Sequence, residues 1–243
     1  MMEDAVQHAD DEGRRAEPPI VAAKERIARR NAAAGRGIGD DAILGAPAPR
    51  PGPLADAVGG RLPPGQHLVS GFPVLDLGVQ PRVTPERWKL QVVGSVPARE
   101  FDWDSFLALP QTQFVTDLHC VTTWSIFDST VQGVRFVDLL PLLEVDSGCT
   151  HVTFHSYDDY TTNVPIEALL RADSALIHSW NGKPLTREHG APVRAWIPRL
   201  YAWKSAKWIR KIEFMTADRP GFWEVRGYHD HADPWLEQRF SGR

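Results

Sequence analysis

The chain has 243 residues, of which 42% are hydrophobic, and its 31 acidic residues outnumber its 27 basic ones, for a formal net charge of −4. This length and composition allow a sizeable hydrophobic core. The chain lacks the basic surplus that nucleic-acid binding usually needs, and it contains no apolar run long enough to span a membrane. We therefore expect neither a nucleic acid nor a membrane among its partners.

Residues 1–60 differ in composition from the rest of the chain. They contain no aromatic residue and include the proline-spaced stretch GAPAPRPGP at 45–53. Such a segment cannot bury enough surface to offset the entropy lost on ordering. We expect a flexible extension over 1–60, with a short helix over 21–30 at most, followed by a single domain over 61–243.

Strands and short helices alternate through the predicted domain. In chain order we expect a strand over 88–96, a short helix over 102–110, a strand edge leading into a helix over 133–145, a strand over 151–156, a helix over 165–172, and strands over 175–180, 192–198 and 206–215. In the last strand, Ile212 and Phe214 are expected on one face, and Ile209 with Lys211 on the other. The dominance of strands favours an α+β class.

The chain has two cysteines, Cys120 and Cys149, and no C-x-x-C pair. This pattern indicates neither a disulfide framework nor a structural zinc knuckle, and the first thirty residues lack the apolar core of a signal peptide. Reduced thiols and a cytoplasmic location are expected. We interpret Cys149 as a buried structural residue, the usual role of a free cysteine.

Cys120 lies in TDLHCVTTWS, where an extended segment meets a turn, a common position for functional residues. The residues alone leave several roles open: a buried structural thiol, a nucleophile or a metal ligand. His119 is poorly placed as a base for a hydrolase, because neighbouring strand residues face opposite sides. A zinc site is weakly supported, since His151 and His155 would share a strand face at wide spacing and the other histidines lack ligand spacing.

Two stretches, LHCVTTWS at 118–125 and GAPVRAWIPRLYAWKSAKWIRKIEF at 190–214, together resemble the molybdopterin-binding oxidoreductase domain of the sulfite oxidase superfamily. The resemblance is closest to its short, haem-free members and runs from about residue 72 to residue 240. It implies a mixed, strand-rich fold of the sulfite oxidase type, an enzyme, and Mo-molybdopterin as cofactor.

The resemblance also assigns site residues. Cys120 corresponds to the cysteine that gives its thiolate to molybdenum, and Tyr160 resembles an active-site tyrosine, although a half-buried strand tyrosine is an alternative interpretation. In the segment HGAPVR, His189 replaces the asparagine of related reductases and Arg194 is retained. The remaining predicted cofactor contacts are Phe72, Leu75, Asp76, Ser156, Ser205, Ala206 and Lys207.

One departure bears on the substrate. Sulfite oxidases place an arginine a few residues after the metal-binding cysteine, whereas Val, Thr, Thr, Trp and Ser follow Cys120 here. The missing charge and the apolar Trp124 favour a neutral or amphipathic substrate over the sulfite dianion.

The resemblance implies transfer of an oxygen atom to or from a small-molecule substrate, with sulfur compounds among the candidates. The chain has no C-x-x-C-H haem motif and too few cysteines for an iron–sulfur cluster, so an external electron-transfer protein is an expected partner. The alternatives are an interaction module of the same fold that binds little or no cofactor, with Trp223, Tyr228 and Trp235 as its docking surface, and, ranked last, a cysteine hydrolase.

Overall fold

The computed structural model of the protein describes residues 60–76, 78 and 80–242. The predicted extension over 1–60, apart from Gly60, and the predicted helix over 21–30 lie outside the described residues. No helix in the described ranges has the length and apolar character needed to cross a bilayer.

Strands dominate the described part of the chain. The strands are β1 His67–Leu68, β2 Leu90–Gly94, β3 Arg99–Phe101, β4 Thr112–His119, β5 Trp124–Arg135, β6 His151–Ser156, β7 Thr161–Pro165, β8 Ala175–Trp180, β9 Lys183–Pro184, β10 Arg194–Trp196 and β11 Ile209–Met215. The α-helices are α1 Trp103–Leu107, α2 Phe136–Leu143 and α3 Ile166–Leu169. The predicted α+β class is confirmed.

The strands form two sheets. In the first sheet the long strand β5 pairs with β4, β1 and β8, and β8 pairs in turn with β9 and β10. The second sheet has the order β3-β2-β11-β6-β7, and its pairs are antiparallel except for β2 with β11. The strands β4 and β5 are antiparallel and are joined by the short turn 120–123, which carries Cys120.

Two hydrophobic clusters fill the described domain. One includes Phe136, Phe154 and Ile212 and packs between α2 and the second sheet. The other contains Leu118, Cys120, Trp124, Trp196, Tyr201 and Tyr228. The thiol of Cys120 therefore lies inside a core cluster built largely from aromatic side chains.

Local sequence explains the first two helices. Asp102 caps α1, since its carboxylate accepts a hydrogen bond from the backbone N–H of Ser105 at 3.0 Å. The helix α2 follows β5 directly, as predicted, and buries Phe136, Leu139 and Leu143 at helical spacing. It ends at Glu144, which adopts the left-handed conformation.

Two details of the sequence prediction are wrong. The helix α3 covers Ile166–Leu169 and not 165–172, because Pro165 still pairs with His151 as the last residue of β7. The register of β11 against β6 is interrupted between Ile209 and Lys211. This irregularity places Ile209 in the core with Ile212, instead of on the face of Lys211.

Candidate active site

The turn between β4 and β5 presents Cys120. The backbone N–H of Cys120 donates to the carbonyl of Trp124 at 2.9 Å, and the N–H of Thr123 donates to the carbonyl of Cys120 at 3.0 Å. Thr123 has a φ of 74°, which closes the turn. The predicted position of Cys120, where an extended segment meets a turn, is confirmed.

The Cys120 side chain is 6% exposed and lines a cavity of about 350 Å³. Its sulfur lies 3.1 Å from the hydroxyl oxygen of Thr122. Burial raises the pKa of the Cys120 thiol, so the free thiol stays protonated at neutral pH. The Cys120 side chain thus offers a sulfur donor that must lose its proton when it binds a metal.

His119 faces the other way, as the strand geometry predicts. It lines a separate cavity of about 330 Å³, and its Nδ1 lies 2.8 Å from the Ser125 hydroxyl oxygen. Burial lowers the pKa of His119 to about 4. No histidine is among the described residues that line the Cys120 cavity, which leaves a hydrolase without an imidazole base there.

The two histidines considered above as zinc ligands, His151 and His155, lie near acidic groups. His155 Nε2 is 2.9 Å from a carboxylate oxygen of Glu213, and His151 Nε2 is 3.8 Å from one of Asp218. Within the described ranges, no three His, Cys, Asp or Glu side chains are grouped so that they could hold a metal ion.

The Cys120 cavity brings together nearly all the predicted site residues, from segments as far apart as Leu75 and Lys207. These are Phe72, Leu75, Asp76, Cys120, Ser156, Tyr160, Arg194, Ser205, Ala206 and Lys207. The exception is His189, which stacks on the Phe72 ring at a centroid distance of 4.1 Å. Burial, as the largest cause, and the charge of Arg194, as the second, lower the pKa of His189 to about 4. The His189 ring is therefore neutral at pH 7, and it packs against the Phe72 ring.

Arg194 is a buried cation in the wall of the cavity. Only 3% of the residue is exposed, and its guanidinium donates to the carbonyls of Ala195, His189 and Ser205 at 3.2, 3.1 and 2.9 Å. No carboxylate of the described residues forms an ion pair with it, and burial lowers its pKa to about 9. A buried cation without a counter-ion in the chain is suited to an anionic ligand.

Lys207 is the second cation of the cavity. Its Nζ donates to the carbonyls of Leu75 at 2.8 Å and Glu188 at 2.6 Å, and lies 3.8 Å from an Asp76 carboxylate oxygen. Burial, with the nearby charge of Arg194, lowers the pKa of Lys207 to about 8. The hydrogen bond from Lys207 to the Leu75 carbonyl holds segment 72–76 against the cavity wall.

Gly190 lies against the first side-chain carbon of both cations. Its φ is 104°, and a Cβ added there would lie 2.9 Å from the Cβ of Lys207 and 3.1 Å from the Cβ of Arg194. Any other residue would be strained in this backbone conformation and would crowd the Cβ atoms of Arg194 and Lys207. The glycine of the HGAPVR segment therefore contributes to the site by its small size.

Two serine hydroxyls of the cavity differ in their partners. The Ser205 oxygen accepts a hydrogen bond from the backbone N–H of Ile197 at 2.9 Å. The Ser156 oxygen is buried and has no hydrogen-bond partner among the described residues. Its place in the cavity wall leaves this hydroxyl available to a bound group.

An aromatic wall completes the cavity, formed by Trp124, Trp203, Trp223 and Tyr228. The Tyr160 hydroxyl donates to the Trp203 carbonyl at 2.7 Å, and burial raises the pKa of Tyr160 well above its ordinary value. Sequence reasoning missed Trp203, although it lies between the matched positions 194 and 207. It also missed Asp158, for which the sequence carries no signal.

The arrangement can be compared with known proteins. The family model described as "oxidoreductase molybdopterin binding domain" matches residues 77–223. The chain belongs to this family. It is 42% identical over 184 residues to "Uncharacterized oxidoreductase YuiH" of Bacillus subtilis, an alignment that covers 75% of this chain and 93% of the relative.

More distant relatives carry functional names. The chain is 27% identical to the "protein-methionine-sulfoxide reductase catalytic subunit MsrP" of Ralstonia nicotianae, over 63% of this chain and 53% of the relative. It is 23% identical to human mitochondrial sulfite oxidase, over 61% of this chain and 33% of the relative. The chain thus spans about half and one third of the length of these two relatives.

A solved structure shares the fold. The sulfane dehydrogenase SoxCD of Paracoccus pantotrophus matches with a TM-score of 0.55 at 18% identity, over 64% of this chain and 46% of that chain. With the family match, this confirms the predicted membership of the sulfite oxidase superfamily. The protein is a molybdopterin-dependent oxidoreductase, and its cofactor is Mo-molybdopterin.

Proposed function

We propose that Cys120 supplies the protein ligand to molybdenum and that Arg194, Lys207 and Ser156 hold the pterin and its phosphate. The observation that carries this proposal is the buried Arg194 guanidinium, which has no carboxylate partner in the described chain and lines the same cavity as the Cys120 thiol. A phosphate would supply the missing counter-ion, and the guanidinium matches it by bidentate hydrogen bonding.

The donor set fits the cofactor. A thiolate is a soft donor that suits a transition metal, and a single cysteine suffices because the pterin brings two sulfurs of its own. When bound, the cofactor supplies the two-electron redox chemistry of oxygen-atom transfer. We assign segment 72–76, with Phe72, Leu75 and Asp76, and the backbone of Ser205 and Ala206 to further pterin contacts, while His189 supports the Phe72 ring.

We propose a small, neutral, sulfur-containing substrate such as a sulfoxide, which gives or accepts one oxygen atom. The cations that line the cavity, Arg194 and Lys207, are assigned to the phosphate, and no other Arg or Lys of the described residues lines it. A sulfite dianion would therefore lack a counter-charge beside Cys120. The name of the MsrP relative, a methionine sulfoxide reductase, supports the same substrate class.

The aromatic wall has a proposed role in excluding water from the substrate. Trp124 follows the Cys120 turn, and its ring packs edge-on to Phe72 at 6.3 Å. Tyr160 is proposed to act at the reacting centre as a wall residue, since its hydroxyl already holds the Trp203 carbonyl. Water exclusion strengthens the electrostatic interactions made inside the cavity.

We propose that electrons are exchanged with an external protein, because the chain contains two cysteines and no haem motif. The relative named as a catalytic subunit supports a partner of this kind. The cytoplasmic location stays a prediction, which cell fractionation with a tagged chain tests.

The ligand assignment is tested by metal and pterin analysis of protein from a host that makes the cofactor. We expect molybdenum in the wild type, and for Cys120→Ser a loss of turnover of about 100-fold or more, as expected when a ligand to a catalytic metal is removed. The matched control is Cys149→Ser, which removes the other buried thiol, outside the cavity. Unchanged turnover in Cys120→Ser would overturn the assignment.

The substrate class is tested separately on the wild-type enzyme. Dimethyl sulfoxide and free methionine sulfoxide are offered with a reduced viologen dye, and sulfite is offered with ferricyanide. We expect kcat/KM for the sulfoxides to exceed that for sulfite by about tenfold or more, a difference of about 1.4 kcal/mol in transition-state binding. The reverse order would overturn the neutral-substrate proposal and leave the ligand assignment intact.

A further inference from the structure

The last part of the described chain forms a closed loop, residues 228–240, which we call the tail loop. Tyr228 and Phe240 form a β-bridge, and the backbone N–H of His229 donates to the Arg239 carbonyl at 3.1 Å. This loop lies beyond residue 223, where the match to the family model ends.

The tail loop contacts both chain neighbours of Cys120. The Arg239 guanidinium donates a hydrogen bond to the Val121 carbonyl. On the other side, the Trp235 ring meets the His119 ring edge-on at 5.0 Å. Although they are far apart in sequence, the loop and the Cys120 turn therefore form one packed unit.

The contact of Arg239 reaches the thiol through a short chain of atoms. Its partner, the Val121 carbonyl, belongs to the peptide group that also carries the N–H of Thr122. The Thr122 hydroxyl in turn lies 3.1 Å from the Cys120 sulfur. A charged donor fixes the orientation of a carbonyl more strongly than a neutral one does, so this peptide group is held in place.

Arg239 does not serve the cavity directly. It is not among the lining residues, and its guanidinium packs over the Tyr201 ring at 5.1 Å, with 15% of the side chain exposed. An arginine thus does reach the residues that follow the cysteine, from 118 positions along the chain, and it donates there to a backbone carbonyl.

We propose that Arg239 is a positioning residue that holds the Cys120 thiol in the geometry needed for metal binding, by fixing the Val121 carbonyl. The inference rests on the proposed function insofar as the thiol is the molybdenum ligand. Removing the guanidinium frees the 121–122 peptide group to rotate, which lets Thr122 and the thiol leave their positions.

The first test measures alkylation of the two cysteines by iodoacetamide in the full chain, with and without cofactor. In Arg239→Met we expect Cys120 to react about tenfold faster or more, because local opening exposes it, while Cys149 reacts at the wild-type rate. Arg239→Lys, which keeps the charge and a donor, is expected to restore a rate near that of the wild type. The matched control is Arg226→Met, since Arg226 also donates to a carbonyl, that of Phe222, and packs on a ring.

The second test uses the loaded enzyme. We expect Arg239→Met to shift the thiolate-to-metal charge-transfer band and the midpoint potential, and to lower kcat with little change in KM; a purely structural residue would change only the melting temperature. If Met at position 239 prevents folding, Arg239→Gln replaces it and is judged in the same way.

The alkylation ratio decides the inference. A Cys120 rate within about twofold of the wild type, whatever the melting temperature, overturns it, because such a difference lies within about 0.4 kcal/mol. Faster alkylation of the cofactor-free chain with an unchanged band would support the positioning of the free thiol, because a bound metal can hold the thiolate without Arg239. The ligand assignment is overturned by a different result, unchanged turnover in Cys120→Ser. The two proposals therefore fail in different measurements.

Discussion

Two buried cations of this chain, Lys204 and Arg194, have different surroundings. Lys204 is fully buried, with its Nζ 2.7 Å from a Glu224 carboxylate oxygen and 2.9 Å from both the backbone and side-chain oxygens of Asn163. Arg194 is buried almost as deeply, but it donates only to backbone carbonyls. The part of the chain that the structure describes provides a counter-ion for Lys204 and none for Arg194.

The difference separates a structural charge from a functional one. Burying an ion is unfavourable unless a partner compensates for the lost hydration. Glu224 compensates Lys204 within the chain, and it also accepts hydrogen bonds from Thr162 and Trp203, each at 3.0 Å. Arg194 has no such partner among the described residues, and we propose that the anionic cofactor supplies it. Burial alone therefore does not distinguish the two cations, whereas the presence or absence of a carboxylate partner does.

The largest expected effect comes from breaking the Lys204 pair. In Lys204→Met the Glu224 carboxylate stays buried without its cation, so we expect the free energy of unfolding to fall by about 3–5 kcal/mol. Denaturant unfolding of the cofactor-free protein measures this. Arg194→Met is the matched variant and should lose less than half as much, because no buried ion is left behind.

A double variant, measured by the same denaturant unfolding, separates the effect of the unpaired Glu224 charge from the other effects of replacing Lys204. Lys204→Met combined with Glu224→Gln should recover part of the loss, because the unpaired charge is then gone. An equal loss in Lys204→Met and Arg194→Met would contradict the distinction between the two cations.

A smaller effect is expected from pH, through Lys207. Its pKa in the folded protein is lowered to about 8 from 10.5, so below pH 8 both states carry the proton and the full cost of burying the charge applies. As pH rises from 8 to 10.5, the folded chain releases the proton first, and stability therefore increases. We expect a gain of about 1–3 kcal/mol relative to Lys207→Met in the cofactor-free protein.

The variant Lys207→Met serves as the control for the pH-dependent gain in stability. Between pH 8 and 10.5 the unfolding midpoint of the wild type should rise relative to that of Lys207→Met, and above pH 10.5 the difference should become constant. Parallel curves across the whole range would show that Lys207 is not penalised by burial. Bound cofactor should remove the effect, because its phosphate favours the charged amine.

The sequence predicted the fold best where the pattern is local. The strands at 151–156 and 175–180 have the predicted bounds, because alternating side chains report directly on strand faces. The face of Ile209 was predicted wrongly because the irregularity in β11 depends on its pairing with β6. Strand pairing is a tertiary property that a single segment does not carry.

The residues of the candidate site likewise fall into those that a local pattern predicts and those that only the fold brings together. Cys120, Arg194 and Lys207 could be predicted because they lie in short motifs that also occur in related proteins. The interaction-module alternative places Trp223 and Tyr228 on a docking surface, whereas in the structure both line the cavity. No local pattern indicates which way the tail folds back, so the aromatic wall and the Arg239 contact appear only in three dimensions.

The smallest expected effect concerns the two serines, and it carries the comparison of the cations over to neutral groups. Ser205→Ala removes the acceptor of the Ile197 N–H, so the cofactor-free protein should lose about 1–3 kcal/mol of stability. Ser156→Ala removes a hydroxyl that has no partner in the described chain, so the loss of stability in this variant should be below about 0.5 kcal/mol.

With cofactor present the expectation for Ser156 changes, because its hydroxyl is then expected to donate to the pterin. Retained molybdenum after gel filtration should fall by about fivefold in Ser156→Ala, the effect of one hydrogen bond of about 1 kcal/mol. A loss of stability in cofactor-free Ser156→Ala as large as that in Ser205→Ala would show that Ser156 supports the fold, and that an unpartnered buried group does not mark the cofactor site in this chain.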